Sequence, residues 1–416
     1  MHRARWLLVG LSVAAVLVAA PPTGAQDATL TDLRAALLAL RADPYGTPST
    51  HGATPGFAAI KQQLRGWIED RLGNFVRNGD ELVLARELSA DLFNGDLLCE
   101  ASDGTLHDRC DRGPTVDYSP RGFLGEIRLQ LLQSGNILVL RTAVGVTCGY
   151  DESAYVYVWR NERWQLLLAA EQDTSGRRPF KPLHLDGVLV SAPAGNDDAD
   201  RLVLALGHPP RCSSNWYPVT YRLWRVSPTR PIVNLLLERV EPAFLDGDPP
   251  IVGSVGATDA LIEFRTGSLD LDVHSRQAVR HFRIDGGAAT RVDPIALGPR
   301  DFVEEWLRQP WEEAVAWTDG AARTPLDPWH DQLRADYRSG ELLGPTRRCS
   351  RAADLWQVGL RFGDADKPTD VYFLVRWQPP YRFRLVEVAN RAWRECATDD
   401  PEADERRTLF PVQDWR

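Results

Sequence analysis

The sequence is poor in methionine and lysine. Met1 is the single methionine, and the three lysines are Lys61, Lys181 and Lys367, so arginine supplies 45 of the 48 basic residues. No long basic block occurs, and the formal net charge is −9. An acidic chain without a basic patch is a poor partner for nucleic acid or an anionic membrane. We therefore predict no nucleic-acid partner.

Local catalytic motifs are also missing. The chain has no GxSxG, HExxH, SxxK, P-loop or GxGxxG, no CxxC, and no Cys/His cluster with zinc-finger spacing. These absences remove the enzyme classes that short motifs identify, and the sequence predicts no cofactor. Glycosidases are not removed, because their two carboxylates are brought together by the fold. Whether the protein is an enzyme, and whether it holds a metal, therefore stays open.

The first 25 residues have the pattern of a secretory signal peptide. Arg3 and Arg5 precede an apolar run from Trp6 to Ala20, and prolines with small residues follow. The run is shorter than the roughly 20 residues of a transmembrane helix, and no later stretch is apolar enough to cross a bilayer. We expect an exported, soluble mature protein in the periplasm or the medium, with no membrane span.

The apolar pattern divides the rest of the chain. It is helical from Leu30 to about Leu98, with helices predicted over residues 30–40, 55–72 and 81–92. It has a period of two from about Gly122 to Pro294, and two helices and three strands are predicted after Pro299. We predict a signal peptide (1–25), a helical N-terminal region (26–116), a repeated β-meander domain (117–297), a C-terminal α+β domain (298–398) and a polar tail (399–416).

The central region repeats a unit of four strands three times, over about residues 124–170, 183–240 and 251–295. The third strand of each unit carries an aromatic residue, Trp159, Trp224 or Phe282. Tandem four-stranded meanders build β-propellers. The predicted fold class is mainly β with a helical N-terminal region, α+β overall. Its tandem antiparallel meanders are propeller-like or stacked sheets, and a small C-terminal α+β unit follows, whose strands could instead add a fourth meander.

Six cysteines follow the signal peptide, and cysteines of exported proteins are typically paired. Cys148 and Cys212 each follow the second strand of a unit and are 64 residues apart, which predicts a bridge between neighbouring units. Elimination then pairs the others. The predicted disulfides are Cys99–Cys110, Cys148–Cys212 and Cys349–Cys396.

Polar residues gather where the second strand of each unit ends, and these loops are expected on one face. The candidate ligand-binding residues are Asp151, Trp216, Asp270, Asp272 and His274. Carboxylates, an imidazole and an exposed indole suit a polar ligand or a sugar. We predict a non-catalytic protein of the bacterial envelope or medium that binds an unknown ligand or envelope partner. The alternative is a secreted hydrolase acting on glycans, with Asp151 or Asp270 paired with Asp272 as acid and base.

Overall fold

The computed structural model describes residues 30–33, 35–36, 55–75, 83–84, 87–88, 99–100, 106–107, 127–146, 149–171, 183–193, 195–196, 198–211, 214–246, 249–269, 274–337, 340–350, 352–363 and 366–396. This part of the chain is mostly β, with few helices and several antiparallel sheets, none closed into a barrel. The mainly β class is confirmed at this level, and a propeller-like arrangement stays a prediction. The predicted signal peptide and polar tail lie outside the described residues.

One helix and a short strand pair precede the sheets. Helix α1 covers Pro55–Leu72, the bounds that the sequence pattern predicts, and residues 30–33, 35–36, 83–84 and 87–88 are also helical. The pair is formed by β1 (Cys99–Glu100) and β2 (Leu106–His107). Among the described residues, no helix combines the length and the apolar character that crossing a membrane requires.

Three four-stranded antiparallel meanders follow, and in each one strands that are consecutive in the chain are neighbours. The first sheet contains β3 (Ile127–Ser134), β4 (Ile137–Val146), β5 (Gly149–Arg160) and β6 (Arg163–Ala170). The second contains β7 (His184–Val190), β8 (Arg201–His208), β9 (Trp216–Val226) and β10 (Val233–Phe244). The third contains β11 (Ile251–Val255), β12 (Asp259–Gly267), β13 (Ser275–Asp285) and β14 (Ala288–Val292).

The three sheets are packed face to face, with the second in the middle. Along β8, Leu202, Leu204 and Leu206 pack in the apolar core shared with the third sheet. The alternating residues Val203 and Ala205 pack in the core shared with the first sheet. Successive side chains of a strand point to opposite faces, so every residue of β8 is buried. Burial of apolar surface on both faces holds the stack together.

Helices cover the outer face of the first sheet. Ile60, Leu64 and Trp67 of α1 are buried against Tyr155 and Tyr157 of β5. Residues on the stripe of α1 recur every three or four positions, which puts them on one side of the helix. The predicted amphipathic helix therefore buries its apolar side on the sheet.

The C-terminal strands form a sheet of their own. Helices α2 (Pro299–Arg308), α3 (Trp311–Ala314) and α4 (Arg323–Asp336) precede it, with 3-10 turns at Val315–Trp317 and Gly320–Ala322 and a later one at Arg394–Cys396. The five strands are β15 (Glu341–Leu342), β16 (Arg347–Arg348), β17 (Leu355–Phe362), β18 (Thr369–Gln378) and β19 (Arg382–Ala389). Cys349 and Cys396 lie at disulfide distance, the pairing that the sequence predicts, with their sulfurs 1.97 Å apart.

A buried charge cluster connects the third sheet to α2. Glu305 of α2 lies 2.6 Å from a guanidinium nitrogen of Arg276, 3.1 Å from one of Arg280 and 3.0 Å from one of Arg291. Burial alone would raise the pKa of Glu305, but the charges of Arg280, Arg276 and Arg291 hold it well below its usual value. Removal of one partner from such a cluster would leave a buried charge uncompensated.

The same cluster extends to β10 through Glu241. Its carboxylate lies 2.5 Å from Nη2 of Arg280 and accepts a hydrogen bond from the hydroxyl of Tyr221. Burial alone would raise the pKa of Glu241, but the charge and hydrogen bonds of Arg280 lower it from about 4.5 to about 2. A pKa lowered on folding stabilises the protein above the unfolded pKa, and the contribution is lost as pH falls through the folded pKa.

We therefore predict that Glu241→Gln lowers the free energy of unfolding by about 3 kcal/mol at pH 7 and by much less at pH 2 to 3. Urea unfolding of parent and variant across this pH range measures the difference. Glu238→Gln is the matched control, because Glu238 is an exposed residue of the same strand, paired with Arg222, and exposed pairs contribute little. Parallel pH profiles for the parent and Glu241→Gln would contradict the prediction.

Candidate metal centre

Two histidines face each other at one end of the second sheet. His184 is the first residue of β7 and His208 the last residue of β8, and the two are paired in the antiparallel register. The register shifts between Leu185 and Gly187, which makes Asp186 the extra residue of a β-bulge. Bulges redirect side chains at the ends of strands. Here the bulge brings Asp186 beside the two imidazoles.

The strands approach closely at this point because residue 207 is glycine. A Cβ atom on Gly207 would lie 2.3 Å from the carbonyl oxygen of His184 and 3.1 Å from Cδ1 of Leu183. No side chain fits at that distance from a backbone oxygen. Only glycine fits at position 207, and this close approach of the two strands holds His184 and His208 together.

The cluster consists of one nitrogen from each histidine and one carboxylate oxygen of Asp186, all within 4.8 Å of one another. Nε2 of His208 and Oδ2 of Asp186 are 3.6 Å apart, and these side chains are only 3% and 2% exposed. This separation is too long for a hydrogen bond, and neither atom has a hydrogen-bond partner among the described residues. Two ligands of a tetrahedral zinc, each about 2.1 Å from the metal, stand about 3.4 Å apart. The observed gap fits a bound metal ion.

The tautomer of His208 follows from its other nitrogen. Nδ1 lies 2.6 Å from the carbonyl oxygen of Pro209. A carbonyl oxygen only accepts hydrogen bonds, so Nδ1 carries the proton and, in the neutral ring, Nε2 has a lone pair facing Asp186. Two acceptors then face each other in a buried place, an arrangement that a cation between them would stabilise.

His184 is oriented by a carboxylate. Its Nδ1 lies 2.9 Å from Oε1 of Glu152, which leaves Nε2 as the remaining nitrogen for a metal. The other oxygen of Glu152 accepts hydrogen bonds from Arg141, at 2.8 Å, and from the backbone of Leu185, at 3.2 Å. A carboxylate that holds the second nitrogen of a metal-bound imidazole is a common feature of protein metal sites.

The electrostatics keep Glu152 charged. Burial raises the pKa of Glu152, but the hydrogen bonds and charges of His184 and Arg141 outweigh it, so the net shift is downward. Burial lowers the pKa of His184, but the hydrogen bond and charge of Glu152, with the charge of Asp186, outweigh it and the pKa is raised. The Glu152 carboxylate is therefore a stable acceptor for the imidazole.

Two imidazoles and one carboxylate are the protein ligands of many catalytic zinc sites, where water takes the fourth position. The same donors also suit Fe²⁺. The His184 side chain is 36% exposed, so the centre is open to solvent on one side. The arrangement can hold a divalent transition-metal ion with an exchangeable position.

The predicted ligand-binding residues did not include His184, Asp186, His208 or Glu152. The available signal was the His-x-Asp spacing at the start of one strand, with a histidine at the end of the next. A search for cysteines and zinc-finger spacing does not detect a cluster built across a β-pair and completed by a carboxylate.

The structure corrects the position of Asp151. Because β4 ends at Val146 and β5 begins at Gly149, Asp151 lies within a strand and not in a loop. It is buried, forms an ion pair with Lys61 and accepts a hydrogen bond of 2.9 Å from the backbone of Leu183. Burial raises its pKa despite the opposing charge and hydrogen bond of Lys61. Asp151 therefore joins α1 to the first sheet and does not face solvent.

The other predicted residues lie apart from this cluster or outside the described residues. Trp216 is exposed at the start of β9, and His274 is exposed just before β13, where its carbonyl accepts a hydrogen bond of 3.3 Å from Ser268. Asp270 and Asp272 lie outside the described residues, as do Cys110, Cys148 and Cys212, and Cys99 is described only as part of β1. The binding role of these residues and the disulfides Cys99–Cys110 and Cys148–Cys212 stay predictions.

Gly207→Ala is expected to destabilise the protein by about 3 kcal/mol or more, because the strands must separate to admit the methyl group. Gly187→Ala on the facing strand is the control, since the nearest atom to its Cβ would be 4.0 Å away. Thermal unfolding of the two variants measures the effect. Equal loss of stability in both would show that the close approach at Gly207 is unimportant.

Comparison with protein-family models and with curated proteins finds no match for this chain.

Proposed function

We propose that this chain is an exported protein that binds a divalent transition-metal ion of the zinc class through His184, Asp186 and His208. The observation that carries the proposal is the buried pair of His208 Nε2 and Asp186 Oδ2, which face each other at 3.6 Å without a hydrogen bond. This proposal names a divalent metal ion as the ligand of the ligand-binding protein that the sequence predicts. Export rests on the pattern of the first 25 residues and on the cysteines.

Zinc titration by calorimetry tests the proposal, with Co²⁺ absorption as a report on coordination geometry. We expect one equivalent of metal to bind the parent, and His208→Ala or Asp186→Ala to weaken binding by more than 100-fold, because each removes a direct ligand. Zinc should also raise the unfolding midpoint of the parent, and EDTA should reverse the increase.

His281→Ala is a matched control. Nδ1 of His281 lies 2.7 Å from the carbonyl oxygen of Asp293, and Nε2 lies 3.7 Å from Asp259. This pair resembles His208 and Asp186 but is more exposed and belongs to no three-residue cluster among the described residues. Zinc binding that survives in His208→Ala, or that is lost equally in His281→Ala, would overturn the proposal.

Glu152→Gln separates the orienting carboxylate from the ligands. The amide removes the negative charge that faces Nδ1 of His184, and loss of such an outer partner typically weakens metal binding by about 10- to 100-fold. We expect zinc affinity to fall within this range, by less than in His208→Ala, while the stoichiometry stays at one. Unchanged affinity would show that Glu152 does not orient His184 for metal binding.

Hydrolysis is the second candidate, favoured by one observation. Three protein ligands with a partly exposed His184 leave a coordination position for water, and zinc lowers the pKa of bound water to about 7. The earlier alternative of paired carboxylates has less support, because Asp151 is buried and paired with Lys61. Zinc-dependent turnover of an ester, phosphate or glycoside substrate, lost in Asp186→Ala, would select hydrolysis over binding alone.

A further inference from the structure

A cavity lies where the second and third sheets meet the C-terminal helices, and none of the metal-cluster residues borders it. Its volume is about 830 Å³, within the usual range for small-molecule sites. It is bordered by Trp216 of β9, Gly267 at the end of β12, Arg308 of α2, Arg334 of α4 and Tyr337, which follows α4. We call it the Trp216 groove.

Trp216 is the one aromatic side chain among the strongly exposed apolar residues of the described chain, at 49% exposure. Its ring lies 4.8 Å from that of Phe244, and a Cβ on Gly267 would be 3.6 Å from the indole. The indole is therefore supported by a neighbouring ring and by bare backbone while half of it stays open. An exposed, supported indole is a surface on which the C–H face of a sugar ring can stack.

The charged residues of the groove have a positive excess, although the protein as a whole is acidic. Arg308 and Arg334 contribute two positive charges and Asp331 one negative charge. Nη1 of Arg308 donates to Oγ1 of Thr266 at 2.8 Å, which fixes the direction of that guanidinium. Arginine binds carboxylates through two parallel hydrogen bonds. The charges of the groove therefore favour an anion.

One face of α4 supplies the two charged side chains Asp331 and Arg334. They are three residues apart, so they lie on one side of the helix, Arg334 is exposed, and Tyr337 follows directly after the helix. Thr266 and Tyr337 also border the groove, but their hydroxyls are used within the protein, since Thr266 donates to the carbonyl of Pro242 at 2.8 Å and Tyr337 donates to Glu304 at 3.3 Å. The exposed indole and the two arginines match the apolar face and the acid group of a uronic sugar.

We propose that the Trp216 groove binds a saccharide that carries a carboxylate. Trp216 stacks on the sugar ring, and Arg334 with Arg308 binds the carboxylate. The site is independent of the metal centre, which contacts the first sheet through Glu152, whereas the groove contacts the third sheet through Gly267.

Calorimetry or saturation-transfer NMR with a glucuronic acid disaccharide tests the proposal, with the neutral glucose disaccharide and benzoate as comparison ligands. We expect the acidic disaccharide to bind most tightly and to bind more weakly at high salt, since screening reduces attraction to Arg334. Trp216→Ala and Arg334→Ala should each weaken binding by about tenfold or more, and Trp216→Phe should weaken it less. Arg230→Ala is the control, because Arg230 is an exposed arginine of the second sheet, away from the groove.

Trp216 and Arg334 are both exposed, so these variants should keep the fold, which circular dichroism checks. Arg334→Glu is a second test variant, because reversing the charge at this position should abolish binding of the acidic sugar. The proposal is overturned if the acidic sugar does not bind at millimolar concentration, or if the neutral sugar or benzoate binds equally well. Binding that is lost in Asp186→Ala but kept in Trp216→Ala would assign the sugar to the metal centre.

Discussion

The burial of the second sheet on both faces constrains everything else in this molecule. All eight residues of β8 are buried, with leucines towards the third sheet and smaller apolar residues towards the first. A polar side chain in such a strand needs a partner, because burying it unpaired costs free energy. Polar groups therefore collect at the strand end, where β8 stops at His208 and β9 starts at Trp216. Both candidate sites lie at this end of the stack.

Much of the fold could be predicted because the signals for its elements are local. The period of two marks a strand without reference to its neighbours. Strand β11 begins where the third predicted unit begins, and the bounds of α1 agree with the pattern. The start of β5 differs, because Tyr150, Asp151 and Glu152 are polar and suggest a loop. They belong to a strand since Lys61 pairs with one carboxylate, and Arg141 and His184 pair with the other. Partners from distant parts of the chain cannot be seen in a local pattern.

The candidate metal centre was missed for the same reason. His184 and His208 are 24 residues apart, and only the register of β7 against β8 puts them opposite each other. Asp186 joins them through a bulge, which no alternation of residues indicates. Trp216 could be selected from the sequence as a candidate, because it is a tryptophan in a polar stretch beside a predicted strand. A large aromatic residue among polar neighbours can be recognised in the sequence, whereas the register between two strands is a property of the fold.

The two candidate sites differ in how much their geometry depends on the stack. The metal centre depends on contacts between sheets, since Glu152 of the first sheet orients His184 of the second. Within the second sheet, the absence of a side chain at Gly207 lets β7 and β8 approach closely. The Trp216 groove is formed by three separate units, with arginines from α2 and α4 facing an indole from β9. Its shape therefore depends on the buried cluster around Glu305 that attaches α2 to the third sheet. Loss of that cluster should disturb the groove before it disturbs the metal centre, because Glu305 contacts neither the first sheet nor β7 among the described ion pairs.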